Sequence, residues 1–274
     1  QRVSQSNCYA ILYLMGSIVR KRKILGAGLM LLLIAVGCTT GTDDAEQSGT
    51  SAPEKTAAGP PAYGDIIVQG SIGDASNLIP MLSSDSSSQD IAGLCYNGLV
   101  KYDKDLNLIR DLAESWDVSD DKLTITFHLR HGVKWQDGTE FTAEDVMFGY
   151  QTIISPNTPT AYSGDFLEVK KAEVVDPHTF RVTYKEAFAP GLASWSNLVV
   201  VPKHLLEGTD ITTSPLIRQT MGTGPYRLKE WRTGEKIVLT SNHEYFDGRP
   251  FIDGVIYRII PDLATMFLEL KAGN

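Results

Sequence analysis

The chain has 274 residues, 42% of them hydrophobic, and a formal net charge of −8, enough for one large domain or two small ones around a buried core. Five of its 25 basic residues (Arg2, Arg20, Lys21, Arg22, Lys23) and none of its 33 acidic residues lie in residues 1–37, so the remainder carries −13. That balance argues against a phosphate-binding face, and no nucleic-acid partner is expected.

The sequence starts at Gln1 rather than Met, and residues 1–14 have no signal-peptide character. Arg20 to Lys23 then form a basic n-region, followed by 14 uncharged, mostly apolar residues from Ile24 to Gly37. That run is too short for a stable bilayer span and suits a signal h-region. It ends Ala35-Val36-Gly37-Cys38, similar to a bacterial lipobox with Ala35 where Leu is usual. On this reading residues 1–37 are leader and signal peptide, and Cys38 is the lipidated first residue of the mature chain. The alternative is an uncleaved anchor with an incidental cysteine. Residues 39–62 are rich in Ser, Thr, Gly, Ala and Pro and lack large apolar side chains. Residues 38–62 therefore read as a lipid-anchored flexible linker with a reach of about 27 Å. Cys95 is then left alone after Cys8 and Cys38, which excludes an intramolecular disulfide in the mature chain. Its apolar neighbourhood, IAGLCYNGLV, suggests a buried, inert thiol.

The folded body is expected from Tyr63. Asp65–Gln69 reads as a short strand, Gly73–Asp90 as a loop with the polar run Ser83–Ser88, and Asp90–Val100 as a helix stopped near Asn97-Gly98. Arg110 to Tyr150 reads as strand, turn, strand, turn and helix. In it Leu123, Ile125, Phe127 and Leu129 alternate with polar residues, which predicts a half-buried strand. Thr142 with Asp145 resembles a capping box before an apolar helix face begun by Val146, Phe148, Tyr150 and Ile153. After a Pro-rich loop come Tyr162 and Phe166. Two strands, Val169–Val175 and Thr179–Tyr184, join through Asp176-Pro177-His178. Leu192–Val201, which includes Trp195, reads as an apolar strand. GTGPY at 222–226 lacks the Gly-Lys-Ser/Thr ending of a phosphate loop, so its glycines are read as backbone geometry. A hairpin over Leu228–Leu239, a strand over Val255–Ile260 and a helix capped by Asp262 or Thr265 and ending at Gly273 complete the pattern.

Two blocks carry a family resemblance. LAESWDVSDDKLTITFHLRHGVKWQDGTEFTAEDV is followed, in the same order and at fitting spacing, by GTGPYRLKEW, IVLTSNHEYFDGRP and LELKAGN. Over residues 63–274 the chain resembles the bacterial extracellular solute-binding proteins of family 5, which serve oligopeptide, dipeptide and nickel ABC importers. The resemblance implies an α/β fold of periplasmic-binding-protein type II kind, with mixed sheets and flanking helices. It implies a first lobe only: a core domain from residues 63–96 plus 187–258, an inserted smaller subdomain over 97–186, and the start of a truncated second lobe at 259–274. It also implies a ligand, most simply a peptide, held between two lobes that close by a hinge and deliver it to membrane permease subunits. In the family the loop before the first helix faces the ligand cleft. Ser84, Asp85 and Ser86 occupy that place here, although their residue types differ from those of the best-known peptide binders. Simple helix capping is the alternative for them. The resemblance offers Tyr162 as an aromatic reaching toward the ligand, the alternative being local packing. Trp195 is a further cleft candidate, and a buried core aromatic is the commoner case.

The expected protein is thus a monomeric, extracytoplasmic lipoprotein anchored to the cell membrane, with no metal site, no cofactor and no catalytic residues. Nickel complexes, oligosaccharides and other small solutes remain open as ligands. A non-transporting surface lipoprotein, acting as a sensor or adhesin, is the alternative from another class. A hydrolase is the remotest reading. The sequence has no Gly-x-Ser-x-Gly, no His-Glu-x-x-His and no Cys-x-x-Cys, and its five histidines are scattered.

Overall fold

The computed structural model describes residues 61–273. The leader, the h-region, Cys38 and nearly all of the linker lie outside the described residues.

Among the described residues ten strands form three sheets. The first sheet has the order β1-β10-β9-β8 and is mixed. β1 (Gly64–Ser71) runs parallel to β10 (Ile252–Ile259), which is antiparallel to β9 (Lys236–Ser241), itself paired with β8 (Tyr226–Arg232). The β8–β9 hairpin turns at Gly234, whose φ of +73° suits a residue without a Cβ. The second sheet is wholly antiparallel, in the order β4-β5-β7-β6: β4 (Ala113–Val118), β5 (Thr124–Leu129), β7 (Thr179–Tyr184) and β6 (Val169–Asp176). β5 buries every second residue, and Ile125, Phe127 and Leu129 point into the core as the alternation predicts. A two-stranded ribbon, β2 (Val100–Tyr102) with β3 (Leu108–Arg110), lies in sequence between the strands of the two larger sheets.

Each large sheet buries one face under a helix. α1 (Ser86–Cys95) lays Ile91, Ala92 and Cys95 on Tyr226, Ile237, Leu239, Val255 and Tyr257 of the first sheet. α2 (Ala143–Ile153) lays Ala143, Val146, Tyr150 and Ile153 over the second. The Asp145 half of the expected capping box is present, with Thr142 N donating to Asp145 Oδ2 at 3.0 Å. The other carboxylate oxygen accepts from Lys203 N at 3.0 Å, which ties α2 to the helical turn Lys203–Leu206.

Two local expectations change. The first helix starts at Ser86 rather than Asp90, because Asp85 caps it, and it ends at Cys95 before Asn97-Gly98. Leu192–Val201 is not a strand. Gly191–Ser194 forms a helical turn after Pro190, and only Val199 makes an isolated bridge, to Gly98. Proline supplies the helical φ at the start of the turn, and Ser194 Oγ donates back to Pro190 O at 3.2 Å. The apolar residues Trp195, Leu198, Val200, Leu206, Ile211 and Leu216 join the same core as the second sheet. The strands of the first sheet thus come from 64–71 and 226–259, while the segment between packs on the second sheet.

α3 (Leu263–Ala272) closes the described chain. Asp262 caps it by accepting from Thr265 N at 2.7 Å, and Gly273 ends it in the left-handed region with φ +83°. None of its residues is buried.

Candidate functional site

The chain after β1 returns to α1 through a loop held by side chains. Asn77 Oδ1 accepts from Ile79 N at 2.8 Å, and Leu78 N donates to Ile217 O at 2.9 Å. Gln89 Nε2 donates to the carbonyls of Pro80 and Ser83 at 3.0 and 2.7 Å. Asp85 is fully engaged. Its Oδ1 accepts from Ser88 N at 2.8 Å, and its Oδ2 accepts from Ser88 Oγ at 2.8 Å and Ser76 Oγ at 2.5 Å. Burial pushes the Asp85 carboxyl up, but the hydrogen bonds from Ser76 and Ser88 outweigh it and hold it below its ordinary value. A carboxylate so occupied at a helix N-terminus acts as a cap. Ser84 and Ser86, on either side of it, are exposed.

Tyr162 meets the same loop. Its ring is half-buried against the main core, and its Oη donates to Ser83 O at 3.1 Å, next to Ser84. Ser83 O therefore accepts from both Gln89 and Tyr162. The Ser83 carbonyl ties Tyr162 to the loop that carries Ser84, Asp85 and Ser86, and these four residues make up the candidate wall.

Trp195 is not part of that wall. It is fully buried, with ring centroids 5.2 Å from Phe166, 5.3 Å from Phe180 and 5.6 Å from Phe127. Its Nε1 donates to Tyr184 Oη at 2.9 Å, and that hydroxyl donates to Gly191 O at 2.8 Å. Burial pushes the Tyr184 phenol up to about 12, so it stays a neutral donor. An indole with its only polar atom satisfied inside the core has nothing left to offer a solute, and Trp195 is withdrawn as a cleft residue.

A polar node was missed. Asn97 Nδ2 donates to both carboxylate oxygens of Asp111 at 2.9 and 3.1 Å and to Tyr245 Oη at 3.2 Å. Asn97 Oδ1 accepts from Thr223 Oγ1 at 2.9 Å. Lys101 Nζ lies 3.1 Å from Asp111 Oδ1. Burial pushes the Asp111 carboxyl up, with Lys101 and Asn97 partly offsetting it. The node joins the end of α1, the β2–β3 ribbon and the GTGPY segment, and its members lie up to 148 positions apart. The only local signal was Asn97-Gly98, read as a helix stop. The glycines of GTGPY belong to the same junction. A Cβ on Gly222 would sit 1.8 Å from Cys95 O, and one on Gly224 would sit 2.5 Å from Cys95 C. Thr223 of GTGPYRLKEW and Tyr245 of IVLTSNHEYFDGRP thus meet at the junction beyond the C-terminal end of α1.

Burial pushes the Cys95 thiol up to about 12, which leaves it unreactive at neutral pH. Among the described residues no three His, Cys, Asp or Glu side chains gather to hold a metal ion, and no helix is long and apolar enough to cross a membrane.

Residues 107–274 match the family model of bacterial extracellular solute-binding proteins, family 5 Middle. The chain is 33% identical over 252 residues to the oligopeptide-binding protein AppA of Bacillus subtilis, covering 90% of this chain and 45% of AppA. It is 34% identical over 202 residues to the glutathione-binding protein GsiB of Salmonella typhimurium, covering 72% of this chain and 38% of that protein. Among solved structures it resembles AppA in complex with a nonapeptide, with a TM-score of 0.72 and 31% identity over 78% of this chain and 44% of that one. It also resembles the ABC transporter substrate-binding protein CtaP of Listeria monocytogenes, with a TM-score of 0.72 and 32% identity over 77% of this chain and 43% of that one. The chain spans less than half the length of these relatives. These structures share the type II periplasmic-binding fold, which accounts for the mixed α/β sheets described above. The matched family model covers more than half of the chain, and the chain belongs to the bacterial extracellular solute-binding proteins of family 5.

Proposed function

We propose that the chain forms the first lobe of an extracytoplasmic substrate-binding lipoprotein of an ABC importer, which captures peptides and hands them to membrane permease subunits. The observation that carries the reading is the likeness, over 78% of the chain, to a family member whose structure holds a nonapeptide. The wall of Ser84, Asp85, Ser86 and Tyr162 supports it. Exposed hydroxyls and a phenol suit hydrogen bonding to a peptide backbone, and the wall bears one carboxylate already committed to capping. Substrate-binding relatives favour capture over catalysis. The layout we propose is a core domain from 63–96 plus 187–258 with 97–186 inserted, the segment 195–216 of the core domain packing on the second sheet.

One wall leaves a ligand's polar groups in water, where each contact contributes less than in a closed site. Titration calorimetry of residues 38–274 against a peptide library should show no measurable binding, whereas a protein extended to the length of AppA should bind. Tight, saturable binding by 38–274 alone would refute the one-wall account. For the anchor, Cys38→Ser should release the protein from membranes with loss of lipid label. Unchanged membrane association would sink it, since stable attachment by acylation takes more than one chain.

A further inference from the structure

A pocket lies where the β4–β5 turn meets the segment that follows β7. Its volume is about 440 Å³, and it is lined by Val118, Ile125, Tyr184, Phe188 and Leu192, with Lys122 at its rim. It shares no residue with the Ser84–Tyr162 wall. Its floor belongs to the core, since Ile125 and Tyr184 are both buried. The Tyr184 hydroxyl is already engaged by Gly191 and Trp195, so the pocket meets that residue as an apolar ring. Phe188 packs against the same ring with centroids 5.7 Å apart.

Lys122 is the sole charged side chain among the described lining residues. The β4–β5 turn holds it in the left-handed region, with φ +59°. This conformation costs an L-residue about 1 kcal/mol and is usually given to Gly or Asn. The neighbouring Asp121 carboxylate is occupied within the turn, accepting from Ser119 Oγ at 2.5 Å and Leu123 N at 3.0 Å. The site therefore combines an apolar cavity, within the range of small-ligand pockets, with one cation at its mouth.

We propose that this pocket binds a small monocarboxylate with an apolar body, the body seated between Tyr184, Phe188 and Leu192 and the carboxylate paired with Lys122. Two sources share that chemistry, a free aliphatic or aromatic acid and the carboxy terminus of an apolar peptide. The proposal does not depend on the transport reading.

The test is a saturation-transfer NMR titration of the whole chain with 4-phenylbutyrate and with 4-phenylbutanol, which keeps the body and lacks the charge. The acid should bind saturably and about three- to fivefold more tightly than the alcohol, the size of an exposed ion pair. Lys122→Ala should remove that difference and leave the alcohol unchanged. Ala189→Trp, on the exposed rim, should block both ligands with an unaltered circular dichroism spectrum, and Tyr162→Ala should affect neither. Competition by octanoate but not N-acetyl-leucyl-phenylalanine supports the pocket with free acids as its ligands, and the reverse supports it with peptide termini. Absence of saturable binding, an acid-to-alcohol ratio unmoved by Lys122→Ala, or failure of both competitors overturns the proposal.

Discussion

At the scale of single residues, the roles divide by what each side chain has left to give. Trp195 has nothing left, with its ring enclosed by Phe127, Phe166 and Phe180 and its Nε1 bonded to Tyr184. Trp195→Ala should therefore cost about 3–5 kcal/mol in urea unfolding, the range for a large aromatic removed from a core. A loss under about 1 kcal/mol would mean that the indole is not packed as described. Gly222 is constrained by space and not by dihedral angle. Its φ lies outside the left-handed region, yet an added Cβ would lie 1.8 Å from the Cys95 carbonyl oxygen. Gly222→Ala must push the backbone of α1's last turn aside, at a cost of about 1–3 kcal/mol or more. An alanine variant as stable as the parent would show that this approach is not tight.

The decisive element is α1, which presents the candidate wall at its N-terminus and locks into the junction at its C-terminus. Asp85 fixes the first end. Asp85→Ala should lower stability by about 1 kcal/mol, the usual loss of a capping carboxylate, and fray the first turn. The acid dependence follows from the same bonds. The folded Asp85 carboxyl lies below its ordinary 3.8, so its contribution is complete above that value and falls away as pH drops through the folded value. In Asp85→Asn the acid limb of the stability curve should be shallower than in the parent below about pH 4. Identical limbs would mean that the cap contributes nothing measurable. At the other end, Asn97→Ala would leave Asp111 and Thr223 without their shared partner. Asp111 keeps Lys101 and Gly98 N, but Thr223 loses its acceptor; one unpaired buried group costs about 1–3 kcal/mol, so this substitution should destabilise at least as much as Asp85→Ala.

For the molecule as a whole, the most consequential feature is where apolar side chains remain in water. α3 exposes Leu263, Phe267, Leu268 and Leu270, each more than 60% accessible, and β1 leaves Ile66, Ile67 and Val68 about half exposed. Among the described residues β1 is also an edge strand, paired only with β10. Exposed apolar helices and open strand edges favour association. Light scattering on residues 38–274 should show concentration-dependent self-association. Phe267→Glu combined with Leu270→Glu should reduce it, while circular dichroism stays unchanged because both side chains are exposed. A parent chain that stays monomeric at high concentration would contradict this.

Local pattern in the sequence sufficed for much of this protein. The alternation of Leu123 to Leu129 specified a half-buried strand. Asp176-Pro177-His178 marked a hairpin turn, and Asp262 or Thr265 and Gly273 marked the two ends of α3. These signals are legible because strand alternation, turn chemistry and helix caps act between residues a few positions apart. The two blocks beginning LAESWDV and GTGPY likewise carried the family. The tertiary structure alone decided the rest. Leu192–Val201 has a strand's composition, but Pro190 and the aromatic core turned its start into a helical turn. Trp195 carries the same residue-type signal whether it lines a cleft or a core, and only the neighbours around it separate the two. Asn97, Asp111, Thr223 and Tyr245 meet across as many as 148 positions, and the phenol of Tyr162 reaches the Ser83 carbonyl across 79. Such contacts follow from how distant segments pack together, which no short window of sequence contains.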